Sequence, residues 1–299
     1  MRTEKRLNKV FSKAKRVSFD NNSKIIIMSD AHRGDGNWND EFARNQNIYF
    51  HALLHYYNND YTYIELGDGD ELWEVSKISD IINDHNDVFE LLSLFHANNR
   101  LHMLYGNHDI CKKKCKLVKK QFSSYFNEIS RKEEPLFSDI EVHEGLVLVS
   151  DADNEIFLVH GHQGDFINDQ IWPVSRFLVR YVWRNLELLG IQDPTKVAKN
   201  NKARTKIENK LIKWSRDNNQ MIIAGHTHRP LMPKPYEHKY FNDGSGIHPR
   251  CITGIEIVDG KISLIKWSVK SKIDGTLFVA KDIVSGPIRL SSYFNHLKR

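Results

Sequence analysis

No apolar run in this chain approaches the length of a membrane span, which excludes a helical integral membrane protein and leaves the expectation of a soluble one. The basic N-terminus, Met1 to Arg16, is not followed by an apolar stretch and a small-residue cleavage site. A secretory leader is therefore not expected, and a cytoplasmic location is. Cysteine is scarce. Cys111, Cys115 and Cys251 cannot build a disulfide framework, and the Cys111/Cys115 pair has no second Cys or His pair at zinc-site spacing, so reduced thiols follow. Internal repeats and low-complexity tracts are also missing, which leaves out repeat architectures. Nor does one sign of charge dominate: 43 Lys and Arg against 38 Asp and Glu give a net charge of +5, and the pI is about 8.9. That balance favours anionic partners without separating nucleotides, phospholipid headgroups and nucleic acid. With 299 residues, 40% hydrophobic and 27% charged, the chain can bury a sizeable core as a single domain, 1–299, carrying an insertion.

Leu7, Val10, Phe11, Ala14 and Val17 recur near helical spacing between lysines and arginines, a basic amphipathic segment that packs on its own domain or touches a membrane surface. The run Ile25-Ile26-Ile27-Met28 is apolar on both faces, as a strand covered on both sides must be, and delivers Ser29-Asp30. A helix around Phe42 to Tyr57 leads to a strand, Tyr61 to Leu66, ending in Gly67-Asp68. A second helix, around Val88 to Asn98, precedes the strand Leu101 to Tyr105, ending in Gly106-Asn107-His108-Asp109. This alternation predicts βαβ units, whose ligands gather at the carboxyl ends of the strands. Beyond Pro135, Ile140 to His143, Leu146 to Val149 and Ile156 to Val159 read as short strands of antiparallel character, the last ending in His160-Gly161-His162. A basic, aromatic, helical stretch over 168–216 follows. The strand Met221 to Ala224 then ends in Gly225-His226-Thr227-His228, and Ile252 to Val258, Asp259-Gly260 and Ile262 to Val269 form the strongest hairpin signal. Asp84-His85-Asn86-Asp87 reads as the N-terminal cap of the helix after it.

Five strands thus end in side chains that bind hard or borderline divalent ions: Asp30 with His32, Asp68, Asn107 with His108, His160, and His226 with His228. Carboxylate, imidazole and amide oxygen together suit Mn²⁺, Fe²⁺, Zn²⁺ or similar ions, and two ions need about this many ligands. Turn chemistry uses aspartate and glycine freely but does not require histidine. In their order along the chain, Asp30-Ala31-His32, Gly67-Asp68-Gly69-Asp70-Glu71, Gly106-Asn107-His108-Asp109, His160-Gly161-His162 and Gly225-His226-Thr227-His228 resemble the signature of calcineurin-like metallophosphoesterases. The wide spacing before His160 and the helical insert after it are similar to the branch containing UDP-2,3-diacylglucosamine hydrolases.

The resemblance implies an α/β fold, a four-layer αββα sandwich of mixed sheets with metals at its rim and a helical cap insertion at 168–216. It implies one ion on Asp30, His32 and His228, another on Asn107, His160 and His226, and Asp68 bridging both. Mn²⁺ is the first expectation, with Fe²⁺, Zn²⁺, Mg²⁺, Ni²⁺ and Co²⁺ as alternatives. The implied activity is hydrolysis of a phosphodiester, diphosphate or phosphomonoester by a hydroxide held between the two ions. His108 then acts as general acid or electrostatic stabiliser, with Asp109 holding its orientation and tautomer. Either His160 or His162 can reach a metal, depending on the turn; His160, which directly ends the strand, is preferred. Glu71 and Asp165 read as supporting residues.

Other signals are less specific. Lys112, Lys113, Lys114 and Lys116 either draw anionic substrate to the rim or form a solvated face. Arg176, Arg180 and Arg184 share one helix face and are candidates for gripping phosphate from the cap. Phe177, Leu178, Tyr181 and Val182 beside them suit a lipid or nucleoside portion; the plain alternative is a solvated basic stripe. Histidines outside the signature read as surface or packing residues, and Asn242-Asp243-Gly244-Ser245-Gly246 as a turn that lines the site or merely loops. The expected partner is an anionic phosphorylated substrate, nucleotide or lipid-linked. Two readings compete: a nuclease or nucleic-acid-binding protein on the same metal core, and a catalytically silent metal-binding scaffold.

Overall fold

The structure is a computed structural model that describes residues 3–127, 130–183 and 200–294. Its larger sheet runs in the order β14 (Leu277–Arg289), β13 (Lys261–Ser271), β12 (Cys251–Val258), β2 (Ile25–Met28), β3 (Thr62–Leu66), β4 (Leu101–Leu104) and β7 (Val142–His143). The smaller sheet runs β1 (Lys15–Phe19), β8 (Gly145–Ser150), β9 (Glu155–Val159), β10 (Met221–Ala224) and β11 (Tyr240–Asn242). A separate hairpin pairs β5 (Ser124–Asn127) with β6 (Lys132–Pro135).

Alternation along each strand explains why the sheets stack. Ile25, Ile27, Ile64 and Leu66 of the larger sheet meet Leu146, Leu148, Ile156, Leu158 and Ile223 of the smaller one between the two. Their neighbours Ile26, Met28, Tyr63 and Met103 face the opposite way, into Leu53, Tyr56, Phe89 and Leu92 of the helices Gln46–Asn58 and Asn86–Ala97. On the far side Val147, Phe157, Val159 and Ile222 pack against Leu7, Val10, Leu211 and Trp214 of the helices Thr3–Phe11 and Asn201–Asp217. The layers are therefore helix, sheet, sheet, helix, and each buried aliphatic or aromatic side chain contributes roughly 1.5–3 kcal/mol.

Several local expectations change in three dimensions. The N-terminal stripe divides: Leu7 and Val10 are buried under a helix, whereas Val17 lies on β1, parallel to β8. The helix stops at Phe11 because the amides of Lys13 and Ala14 turn back onto the carbonyls of Val10 and Phe11, and the alternation of Val17 with Phe19 then suits a strand. Of the strands over 140–159, β8 and β9 pair antiparallel, whereas β7 joins β4 in parallel and β1, β10 and β11 add to the smaller sheet in parallel, since long connections bring their ends around. His85 takes the N-cap position of its helix but makes no side-chain capping bond. Its buried ring places Nε2 2.9 Å from Asp40 Oδ2 and Nδ1 3.2 Å from Gln46 Oε1, and Asp84 closes the preceding helix Ile78–Asp84. Within 168–216, residues 184–199 fall outside the described residues. The remainder is helical, as Phe166–Gln170, Trp172–Leu178, a π-helical turn Val179–Trp183, and Asn201–Asp217. No helix among the described residues is long and apolar enough to cross a membrane.

Candidate metal centre

The carboxyl ends of β2, β3 and β10 turn sharply. Asp30, His32, Asp68, His226 and His228 all hold left-handed backbone, with φ between 48° and 65°. That conformation costs a non-glycine residue about 1–2 kcal/mol, and paired loops offset it. The amides of Asp30, His32 and Arg33 donate to the carbonyls of Gly67, Asp68 and Gly69 at 3.1, 2.9 and 3.0 Å, extending the β2–β3 ladder past the strand ends. Gly67, at φ 95°, is crowded as well: a Cβ there would stand 2.8 Å from the Gly106 amide nitrogen and from the His160 ring.

Ligand atoms of Asp30, His32 and His228 lie within 4.8 Å of one another, and so do those of Asp68, His160 and His226. The two groups adjoin. His160 Nε2 is 3.1 Å from Asp68 Oδ2 and 3.8 Å from Asp30 Oδ1, while His228 Nε2 is 3.0 Å from Asp30 Oδ1. Asp30 Oδ1, His32 Nε2, Asn107 Oδ1, His160 Nε2 and His226 Nε2 are all buried without a hydrogen-bond partner. Buried polar atoms are seldom left so. Bare lone pairs of carboxylate, imidazole and amide, gathered in this way, fit divalent cations. Tautomers point the same way, because His160 Nδ1 lies 3.0 Å from the Leu66 carbonyl and can donate to it only when protonated, which leaves Nε2 bare.

The electrostatics agree. Burial alone would raise Asp30 and Asp68, yet neighbouring imidazoles, His228 and His160 for the first and His160 and His108 for the second, hold both carboxyls below the usual range. Burial would likewise lower His160, but Asp68 and Asp30 push it up to about 9. A field that keeps a proton on a buried imidazole favours a divalent cation still more.

His108 stacks on Trp73 with ring centroids 4.2 Å apart, and its amide donates to Asp68 Oδ1 at 2.8 Å. Glu71, not Asp109, meets its side chain: the carboxylate lies 2.7 Å from His108 Nδ1 and 2.8 Å from His32 Nδ1. Asp109 is committed elsewhere, one oxygen accepting the Gly106 amide at 2.7 Å and the other accepting from Lys112 Nζ at 2.7 Å. Lys112 is therefore no rim charge; at 1% exposure it lies among Asp70, Asp109 and Glu65. The turn Ile110–Lys113 folds it back beneath the loop, three residues from Asp109, a spacing that was visible in the sequence.

The calcineurin-like phosphoesterase family model matches residues 23–230. The chain belongs to this family. Comparison with curated proteins gave no match. Among solved structures, this chain is similar to Vps29 of Chaetomium thermophilum, with 11% identity, a TM-score of 0.41, and coverage of 88% of this chain and 95% of that one. It is also similar to a Staphylococcus aureus protein described as a 5'-nucleotidase, with 12% identity, a TM-score of 0.37, and coverage of 89% of this chain and 54% of that one. The chain thus spans about half the length of the second protein.

Within the chain the remaining candidates separate. His162 is buried but turns away from the two ligand groups, toward Glu144 and Asp169. Asp165 Oδ2 is 3.6 Å from His226 Nε2, and Asp165 Oδ1 caps the helix Phe166–Gln170 at the Ile167 amide. Arg180 is corrected as a phosphate grip. Its Nε and Nη2 are spent on the carbonyls of Trp73, Leu72 and Val75 at 2.8, 2.8 and 3.0 Å, so it ties the insert to the loop beside His108. Arg176 lies over the Trp172 ring, and Arg184 falls outside the described residues. The segment 242–246, read from sequence as a turn, buttresses the centre: Asn242 Nδ2 donates to the Gly225 carbonyl and Ser245 Oγ to that of Asp30. Ser29 Oγ bridges the Asp30 and Asp243 carboxyls, and burial together with Asp30 raises Asp243 well above the usual range. Nothing local in the sequence distinguishes Asp243 from an ordinary turn aspartate.

Proposed function

We propose that this phosphoesterase hydrolyses a phosphate ester with two divalent ions, one on Asp30, His32 and His228, the other on Asn107, His160 and His226, with Asp68 shared. The set of buried, unpartnered ligand atoms carries this reading. Bound ions would lower the pKa of a water and offset charge on the phosphate oxygens, and Mn²⁺ is the first ion to try. The chain's own residues supply the rest. Glu71 keeps a proton on Nδ1 of His108, Trp73 fixes the ring plane, and the side chain remains 19% exposed. His108 Nε2 is then the atom that donates a proton or hydrogen bond to the leaving oxygen. Diester, diphosphate and monoester all suit this chemistry.

The test is hydrolysis of a synthetic phosphodiester and the matching phosphomonoester by metal-stripped protein, before and after adding Mn²⁺, with Asp68→Ala as control. Turnover is expected only with metal and only in the unmodified chain. Equal turnover without metal, or in the Asp68→Ala protein, would sink the reading. Two bound ions with no turnover on either ester would favour a silent metal-binding scaffold.

A further inference from the structure

Beneath the centre lies a chain of charges that the hydrolytic reading does not use. Arg33 donates from Nη1 and Nη2 to the two oxygens of Glu65, at 2.7 and 3.1 Å, and from Nε to Asp70 Oδ1 at 2.7 Å. Lys112 Nζ then lies 2.7 Å from Asp70 Oδ2 and hydrogen-bonds Asp109 Oδ2 at the same distance. Each of the five side chains is at most 1% exposed. Apolar residues of similar volume often serve stability as well as a buried ionic set does, so stability alone is a weak reason for two cations and three carboxylates here.

Position is a better reason. Arg33 follows His32 in the loop after β2, Asp70 follows Asp68 in the loop after β3, and Asp109 follows His108 in the loop after β4. The network therefore cross-links three loops that carry the candidate ligands. Its last link is specific: Asp109, anchored by Lys112, accepts the Gly106 amide at 2.7 Å and closes the turn that presents Asn107. Gly106 is packed against Asp68 so closely that a Cβ would overlap the carboxylate. The His108 amide adds a bond to Asp68 Oδ1. No side chain of the Asp30, His32 and His228 group belongs to this turn.

We propose that Lys112 is a positioning residue for the ion assigned to Asn107, His160 and His226, holding the Gly106–Asp109 turn in register with Asp68 through Asp109. This rests on the two-ion reading above. Loosening the turn should weaken this ion more than the other, because Asn107 serves it alone while Asp68 is shared, whereas a merely structural role would affect both alike.

Calorimetric titration of the metal-stripped full chain with Mn²⁺ separates these cases. The unmodified protein should bind two ions. Lys112→Met should lose affinity unequally, binding one ion at least about tenfold more weakly, the scale seen when residues supporting metal ligands are removed, and the other with a much smaller loss. Lys112→Arg, which keeps the cation, should restore the weakened one. Should Lys112→Met fail to fold, the double variant Asp109→Asn/Lys112→Met removes one charge of each sign, keeps the net charge of the cluster and carries the same expectation. Equal weakening of both ions, or no change in either, overturns the proposal. Fewer than two ions on the unmodified protein overturns the two-ion reading instead.

Discussion

At the residue scale, Glu71 is the group whose chemistry reaches furthest, because one carboxylate serves two imidazoles. It accepts from Nδ1 of His32 and of His108, so it sets the tautomer of a candidate metal ligand and of the candidate proton donor together. Burial would raise its pKa, but His108 and His32 hold it ionised, below the usual range. Glu71→Gln keeps the shape and removes the charge that fixes both rings. Its kcat on a synthetic ester should fall about 10–100-fold, the scale of losing such a supporting partner. Steady-state kinetics at saturating Mn²⁺ would check this, and an unchanged kcat would return the orienting role to some other group.

At the scale of elements, the helix Asn201–Asp217 shows how an amphipathic pattern becomes a layer. Ile207, Leu211 and Trp214 recur on one face and cover the outer side of the smaller sheet. Trp214 does most of the joining. Its ring lies 5.4 Å from Phe157 and 5.9 Å from Phe11, and its Nε1 donates to Asn8 Oδ1 at 2.6 Å, so it holds the sheet and the N-terminal helix together. Trp214→Ala should cost about 3–5 kcal/mol, from lost burial and the cavity left behind. A urea melt would show it, and a loss below about 1 kcal/mol would mean that the two helices pack independently of this residue.

For the whole molecule, a partly buried histidine makes stability depend on acid. His102 on β4 is pushed down to about 4, first by burial and then by Lys15 and His143, so it folds neutral. An unfolded histidine titrates near 6.5. The stabilisation is therefore complete above about pH 6.5 and falls as pH drops toward about 4, by up to about 1.4 kcal/mol per pH unit for one proton. Urea midpoints should thus decline between pH 6.5 and pH 4.5. The decline should be shallower by about one proton in His102→Gln, and equal slopes would remove His102 from the account.

The apolar runs at Ile25–Met28 and Met221–Ala224, and the Asp259-Gly260 hairpin, are local patterns, and from them the sequence by itself determined that these segments are strands and where the Asp and His blocks emerge, but not that β1, β5, β6, β11 and β14 are strands as well. The βαβ alternation gave the parallel β2, β3 and β4 and the hairpin gave the antiparallel β12 and β13, but pairings between distant segments were not legible, because they depend on which of them close against each other: β1 beside β8, and β12 beside β2. The same reason governs the site. Ser245 reaches the Asp30 carbonyl across 215 residues, Arg33 reaches Glu65 across 32, and Arg180 reaches Trp73 across 107. Residue type set which side chains were able to ligate a metal or carry a proton. Only tertiary packing decided that Glu71 rather than Asp109 faces His108, and that Lys112 is buried beneath the loops instead of at the rim, since each outcome turns on which partner satisfies a desolvated charge.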